Sequence, residues 1–262
     1  MDDARLTAYL ARLGLPRPTA PDLSALRALQ QAHLTVFPFE NLSVRLGEPI
    51  ELTEEALAAK LLDRRRGGFC YELNGAFAAL LGALGYRVEL LSGRVFARGG
   101  RGLPFDHLAL RVRIDGQAWL VDVGFGRLSV LPLCLDERGE QADPAGRFRI
   151  TEHPVPGGPL PDLDVSDESG LLYRLDQRPY QLADYVPSCW FQATSPDSPF
   201  TGRTLCSLLT PSGGRVTLVN DRLILGEDAG QTERALSGAE LREAYREHFG
   251  IELTEAQVGR LV

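Results

Sequence analysis

No Cys-x-x-Cys pair occurs anywhere in the chain, and its four cysteines, Cys70, Cys134, Cys189 and Cys206, stand far apart. That spacing argues against a disulfide-stapled scaffold and offers no zinc-ligand pattern, so reduced and buried thiols are the default. Basic residues do not dominate either. The net charge of −7 argues against nucleic acid or an anionic membrane surface as the main partner. No stretch is long and apolar enough to span a bilayer. The N-terminus, MDDARLTAYLARLGL, starts with acids and an amphipathic pattern rather than the basic start and apolar run of a signal peptide, so a cytoplasmic location is expected. Repeats and low-complexity tracts are lacking. What is present is ordinary for a globular protein: 262 residues, 44% hydrophobic and 24% charged, enough for one large core or two to three small ones.

The first third reads as helical. Leu6, Tyr9, Leu10 and Leu13 share a face that Gly14 ends, and Leu23, Leu26 and Leu29 repeat the pattern, with Pro21 placed for a first helical turn. In TEEALAAKLLDRR, Thr53 is the expected N-cap and Glu54 and Glu55 suit the positive helix end. Leu73, Phe77, Leu80, Leu81 and Leu84 then recur at helical spacing until Gly85. From Tyr86 the pattern changes: YRVELLSGRVF, DHLALRVRI and QAWLVDVGF read as strands. Residues 143–200, rich in Pro, Gly and Asp, predict irregular β structure with short strand-like pieces such as FRI and LLYRL. GRVTLVNDRLILGE predicts a hairpin around Asn220-Asp221, and a final helix follows with a Ser237/Glu240 capping box and Gly250 as its stop.

One hairpin can be worked out residue by residue. Asp115-Gly116 is a strong two-residue turn, so Ile114 faces Gln117 and, counting outward, Ala109 lies opposite Asp122. His107, Ala109 and Arg111 then share a face with Leu120 and Asp122, while Leu108, Leu110 and Val112 share the other with Trp119, Val121 and Val123. His107 and Asp122 become diagonal neighbours, roughly 7–8 Å apart at the backbone. The hairpin alone allows either an imidazole–carboxylate pair or two polar groups on a solvated face. A one-residue slip would separate them.

Upstream, RGGFCYELNG places Cys70 where a helix begins, after the flexible pair Gly67 and Gly68. A buried core thiol and a nucleophile at the positive end of a helix are both compatible with that local pattern. In the second case the helix N-terminus and a nearby imidazolium favour the thiolate, and Asp122 orients the imidazole. The two glycines would let the backbone pass close to a bound acyl group, and amides at the helix start would hold a developing oxyanion. The other histidines fit less well: His33 reads as packed or capping, His153 as a loop residue, and His248 as a cation near a helix C-terminus. Cys134, Cys189 and Cys206 read as structural.

RGGFCYELN, the histidine strand and DVGFG, together with PFENL at residues 38–42, resemble the arylamine N-acetyltransferase family. The resemblance extends to LGL near the start, SPDSPF at 195–200 and FGIEL at 249–253, nearly the whole chain. It implies an α+β fold with a cysteine-protease-like core: a helical bundle over 1–85 carrying the nucleophile, a β-barrel-like domain over 86–195 carrying histidine and aspartate, and an α/β lid over 196–262. The family's catalytic residues fall on Cys70, His107 and Asp122, and its structural arginine–glutamate clamp on Arg66 and Glu40. Its acceptor-pocket residues fall on Phe39, Phe125, Phe200 and Val95. Cofactor contacts are implied near the loop ARGGRG, with Arg98 and Arg101, and around Gly126. Relatives often carry a further glycine after DVGFG. Here Arg127 follows Gly126, a residue that would narrow the cleft or bind phosphate.

The implied reaction is acetyl transfer from acetyl-CoA, a substrate rather than a resident cofactor, to an arylamine or arylhydrazine through an acetyl-cysteine. No metal is implied, and the oligomeric state is left open. The same three groups would also serve a cysteine hydrolase, a transglutaminase-like enzyme or an amide synthase. A ligand-binding protein retaining the fold without turnover is the reading from another class.

Overall fold

Side-chain caps define the helical first third. In the computed structural model, which describes residues 1–96, 102–227 and 230–261, helix α1 (Asp3–Leu13) opens with the Asp2 carboxylate accepting from the Arg5 amide at 2.8 Å. It closes at Gly14, whose φ of +69° suits glycine. Helix α2 (Leu23–Val36) is capped by Asp22, so Pro21 precedes the cap instead of entering the first turn as expected. The Asp22 carboxylate, bonded to the Ala25 amide, sets that boundary. Strand β1 (Phe39–Glu40), helix α3 (Leu42–Leu46) and helix α4 (Glu54–Ala58) follow, with Thr53 capping α4 as predicted. The next turn, Ala59–Asp63, widens into a π-helix that carries Lys60 inward. Helix α5 (Cys70–Ala83) is apolar nearly all round, as a helix in a core should be.

Two antiparallel sheets make up the rest. Strands β2 (Arg87–Val95), β3 (His107–Ile114), β4 (Gln117–Val121), β5 (Leu133–Cys134), β6 (Glu140–Asp143), β7 (Gly146–His153), β8 (Asp162–Asp167) and β9 (Gly170–Tyr180) form a barrel-like eight-stranded sheet ordered β5-β4-β3-β2-β9-β8-β7-β6. Residues 143–200 are therefore not irregular. Their Pro, Gly and Asp collect between strands, while Phe148, Ile150, Leu163 and Val165 alternate into the barrel interior. That stretch also contains an unexpected helix, α6 (Val186–Thr194), with Pro187 in its first turn, where a missing N–H costs nothing.

The second sheet joins distant parts of the chain. Strands β10 (Leu205–Leu209), β11 (Arg215–Val219), β12 (Arg222–Glu227) and β13 (Gly230–Ala235) pair in sequence, with the expected Asn220-Asp221 turn between β11 and β12. Its outer strand is β1, from the helical third, which pairs with β10. Helix α7 (Gly238–Phe249) packs against this sheet with its predicted Ser237/Glu240 cap and Gly250 stop. It is not the final helix, because α8 (Glu255–Leu261) follows. The resulting α+β fold agrees with the expected class.

The apolar faces read from the hairpin find separate cores. Leu108, Leu110, Val112 and Val121 pack under α5, whereas Ala109 and Leu120 face the barrel interior. Burying each such leucine contributes about 1.5–3 kcal/mol. Among the described residues no helix is long and apolar enough to cross a membrane, and no group of three or more His, Cys, Asp or Glu side chains could hold a metal ion.

Under the start of α5 lies a buried set of charges. Arg66 donates to both Glu40 oxygens, at 3.0 and 3.2 Å, and the Leu42 amide donates to the same carboxylate at 2.6 Å. Lys60 binds Glu72 at 2.6 Å and lies 3.9 Å from Glu40. Burial opposes the Glu40 charge, but Arg66 and Lys60 outweigh it and hold the carboxyl below the usual range. Glu72 goes the other way: burial and Glu40 outweigh Lys60 and raise it. Removing one partner of such a pair strands the other, so Arg66→Met is expected to cost about 3–5 kcal/mol. Urea denaturation checks this as a lower midpoint at unchanged slope.

Candidate active site

The Asp115-Gly116 turn has positive φ at both residues, +49° and +83°, the backbone that matches strand twist in a two-residue hairpin. Pairing runs from Ile114↔Gln117 to Leu110↔Val121, so the next step outward sets Ala109 opposite Asp122 as derived. His107 and Asp122 share the inward face, and Nε2 of His107 meets Oδ2 of Asp122 at 2.7 Å. Each residue is only 2% exposed, which decides against the solvated-pair reading.

Asp122 has further partners that sequence reasoning missed. The Tyr173 hydroxyl donates to Oδ2 at 3.1 Å, and Asn74 Nδ2 and the Gly124 amide each donate to Oδ1 at 2.9 Å. Asn74 also donates to the Leu108 carbonyl at 2.6 Å and accepts from the Val123 amide at 2.9 Å. This residue stands one helical turn after Cys70 on α5, so its i,i+4 spacing in CYELN was a usable signal. Tyr173 carried none: LLYRL reads as a short strand-like piece, but nothing local in it points to a partner 51 residues away.

Cys70 is the first residue of α5 and is buried. Its sulfur stands beside the His107 ring, close enough to bear on the protonation of the imidazole. Because Nε2 is committed to Asp122, Nδ1 is left for the sulfur. Burial disfavours an imidazolium here, but the Asp122 carboxylate and the Cys70 sulfur outweigh it and push His107 up to about 10. A Cβ on Gly124 would sit 2.7 Å from the Cys70 Cα, so glycine is required for this close packing. Gly67 and Gly68 have a different role from the expected one. A Cβ there would strike the Pro38 carbonyl and the Glu72 side chain, so they admit β1 and the helix cap, not an acyl group. Glu72 caps α5 by accepting from the Phe69 amide at 3.2 Å.

A cleft of about 530 Å³ opens beside His107. Phe39, Val95, Phe125, Phe200, Gly126 and Arg127 all line it, although they come from every third of the chain. Phe125 meets His107 edge-on with ring centroids 5.2 Å apart, and Phe200 stands 6.1 Å from Phe39. Arg98 and Arg101 lie outside the described residues. Unanticipated lining comes from Phe191 and Gln192 on α6 and from Ser207, Thr217 and Ile224 on the second sheet. Those strand residues share one face only once β10, β11 and β12 are in register.

The remaining candidates lie elsewhere. His33 is buried, bonded to the Tyr9 hydroxyl at 2.9 Å, and burial lowers it to about 3. His153 ends β7 near Asp164 instead of lying in a loop. His248 occupies the last turn of α7 as expected. Cys189 and Cys206 are buried on α6 and β10, and Cys134 is half-buried on β5.

A thiol, an imidazole and a carboxylate grouped beside an aromatic cleft are the kinds of side chain found together in enzymes that use a cysteine nucleophile. Comparison with known proteins narrows the class. The sequence profile of the N-acetyltransferase family matches residues 22–258. An arylamine N-acetyltransferase of Mycolicibacterium smegmatis is 37% identical over 260 residues, covering 95% of this chain and 92% of that one. The solved structure of the Salmonella typhimurium arylamine N-acetyltransferase superposes with a TM-score of 0.91 at 31% identity, covering 100% of this chain and 98% of the other. A Mycobacterium marinum arylamine N-acetyltransferase in complex with CoA gives 0.87 at 32% identity, with 98% of each chain covered. The chain belongs to the arylamine N-acetyltransferase family and is an acetyltransferase.

The raised His107 has a consequence for stability. An unfolded histidine titrates near 6.5. The folded imidazole holds its proton to about 10, so its pairing contributes fully below pH ~6.5 and is lost as pH rises through about 10. Denaturation of wild type and His107→Gln across this range is expected to show a stability difference that shrinks steadily with rising pH.

Proposed function

We propose that the chain moves an acetyl group from acetyl-CoA to the nitrogen of an arylamine or arylhydrazine in two steps through a thioester on Cys70. Residues 1–85 supply the nucleophile, 86–195 the histidine and aspartate, and 196–262 cover the cleft. The observation that carries this reading is the buried His107–Asp122 pair beside the Cys70 sulfur, with His107 itself lining the cleft.

In the first step the Cys70 sulfur, its proton already held on the His107 imidazole, attacks the acetyl carbonyl of acetyl-CoA. The amides at the start of α5 hold the oxyanion. When the intermediate collapses, the bond to the CoA sulfur breaks and CoA leaves as the thiol with the proton from His107. In the second step the amine nitrogen attacks the thioester, His107 accepts the nitrogen's proton, and the Cys70 sulfur departs as the amide forms. Asp122 supports the imidazolium in both steps. An arylamine suits this chemistry because it is neutral near pH 7 with its lone pair available. Phe39, Phe125 and Phe200 offer its ring stacking or edge contacts of about 0.5–1.5 kcal/mol each beyond burial. CoA is a phosphate-rich anion, and Arg127 at the cleft is one cation able to meet it.

Mixing the enzyme with acetyl-CoA and no amine is expected to release CoA and leave one acetyl group on Cys70, located by peptide mass spectrometry. His107→Gln should slow that step by about 10²–10⁴-fold. Label on another residue, or none, refutes the mechanism.

A further inference from the structure

Asn41 occupies the N-cap position of α3, where an asparagine side chain ordinarily accepts from an amide of the first turn, yet it makes no such bond. The Leu42 amide is served by Glu40 instead. The Asn41 side chain reaches across to a segment about 160 residues later. Its Nδ2 donates to the carbonyls of Phe200, at 2.8 Å, and Arg203, at 2.7 Å, and its Oδ1 accepts from the Leu205 amide at 2.7 Å. Two donors and one acceptor on one short planar group are what a primary amide provides. The side chain is also almost fully buried. One turn on, Arg45 donates to the Thr201 carbonyl at 2.7 Å.

Phe200, Arg203 and Leu205 all line the cleft. The Phe200 ring meets Phe39, on β1 two residues before Asn41, and Phe69, which precedes Cys70, with ring centroids 6.1 and 5.6 Å away. Asn41 therefore sets how far this wall stands from the turn that presents the sulfur. We propose that Asn41 is a positioning residue for acceptor recognition, clamping the Phe200–Leu205 wall against the nucleophile's turn so that a flat aromatic amine meets the thioester. The inference deepens the acetyl-transfer reading and rests on it.

Asn41→Asp keeps the shape but turns a carboxylate oxygen toward two carbonyls, which opens the clamp. The expected result is a KM for a para-substituted aniline raised at least tenfold. The single-turnover rate of Cys70 acetylation by acetyl-CoA without amine should stay within twofold of wild type. Arg45→Met, which loosens the same wall, should move the aniline KM in the same direction by less, and it serves if Asn41→Asp does not fold. An unchanged aniline KM, or a parallel fall in both half-reactions, overturns the proposal. Hydrogen exchange at the Leu205 amide reads the clamp without turnover. It should be at least tenfold faster in the variant, and unchanged exchange overturns the clamp. A wild-type chain that accepts no acetyl group refutes the acetyl-transfer reading instead.

Discussion

Asp122 is a carboxylate with almost no access to water, and four donors converge on it: the His107 ring, the Tyr173 hydroxyl, the Asn74 amide and the Gly124 backbone. A charge in that position is tolerable only while its acceptor sites are filled. Each donor arrives on a different piece of chain. The hairpin brings the imidazole, β9 brings the phenol, α5 brings the amide, and the segment after β4 brings the backbone. Satisfying one buried charge therefore brings α5 and the strand of His107 into a single relative placement, with Cys70 beside the imidazole. Asn74 is the most economical member, because one side chain joins α5 to both strands of the hairpin.

A second buried electrostatic arrangement works on the other side of Cys70. Arg66, Glu40, Lys60 and Glu72 hold the residues just before the helix, and Glu72 caps the Phe69 amide. The π turn at Ala59–Asp63 belongs to this arrangement, since widening the helix there directs Lys60 into the core. The start of α5 is thus fixed by hydrogen bonds and ion pairs from below and by Gly124 packed on its backbone from above. Such support fixes the position of the first residue of α5 through packing and hydrogen bonds on both sides.

The cleft owes its shape to a strand that crosses between regions. β1 leaves the helical third to pair with β10, so Phe39 faces the same space as Ser207 and Thr217. Phe125 approaches from beyond the hairpin and Val95 from the end of β2. A surface assembled from such separate segments exists only in the folded chain, and it places the cleft wall and the start of α5 beside shared neighbours such as Asn41.

Much of the site was legible in the sequence because its signals are local. A two-residue Asp-Gly turn has only one comfortable backbone, and that turn sets which residues of its two strands share a face. His107 and Asp122 were paired on that basis, and Gly14, Thr53, Ser237 and Gly250 marked helix ends by equally local chemistry. Residues 143–200 read as β, as found, but the regularity of their strands is hidden because turn residues outnumber the short alternating runs, and α6 is hidden because Pro187 in its first turn resembles a break. Tyr173, the Ser207–Thr217–Ile224 row on the second sheet and the long-range bonds of Asn41 had no local signature. Their partners lie tens to more than a hundred residues away, and only long-range packing, which one chain's periodicity does not encode, decides which distant polar groups meet.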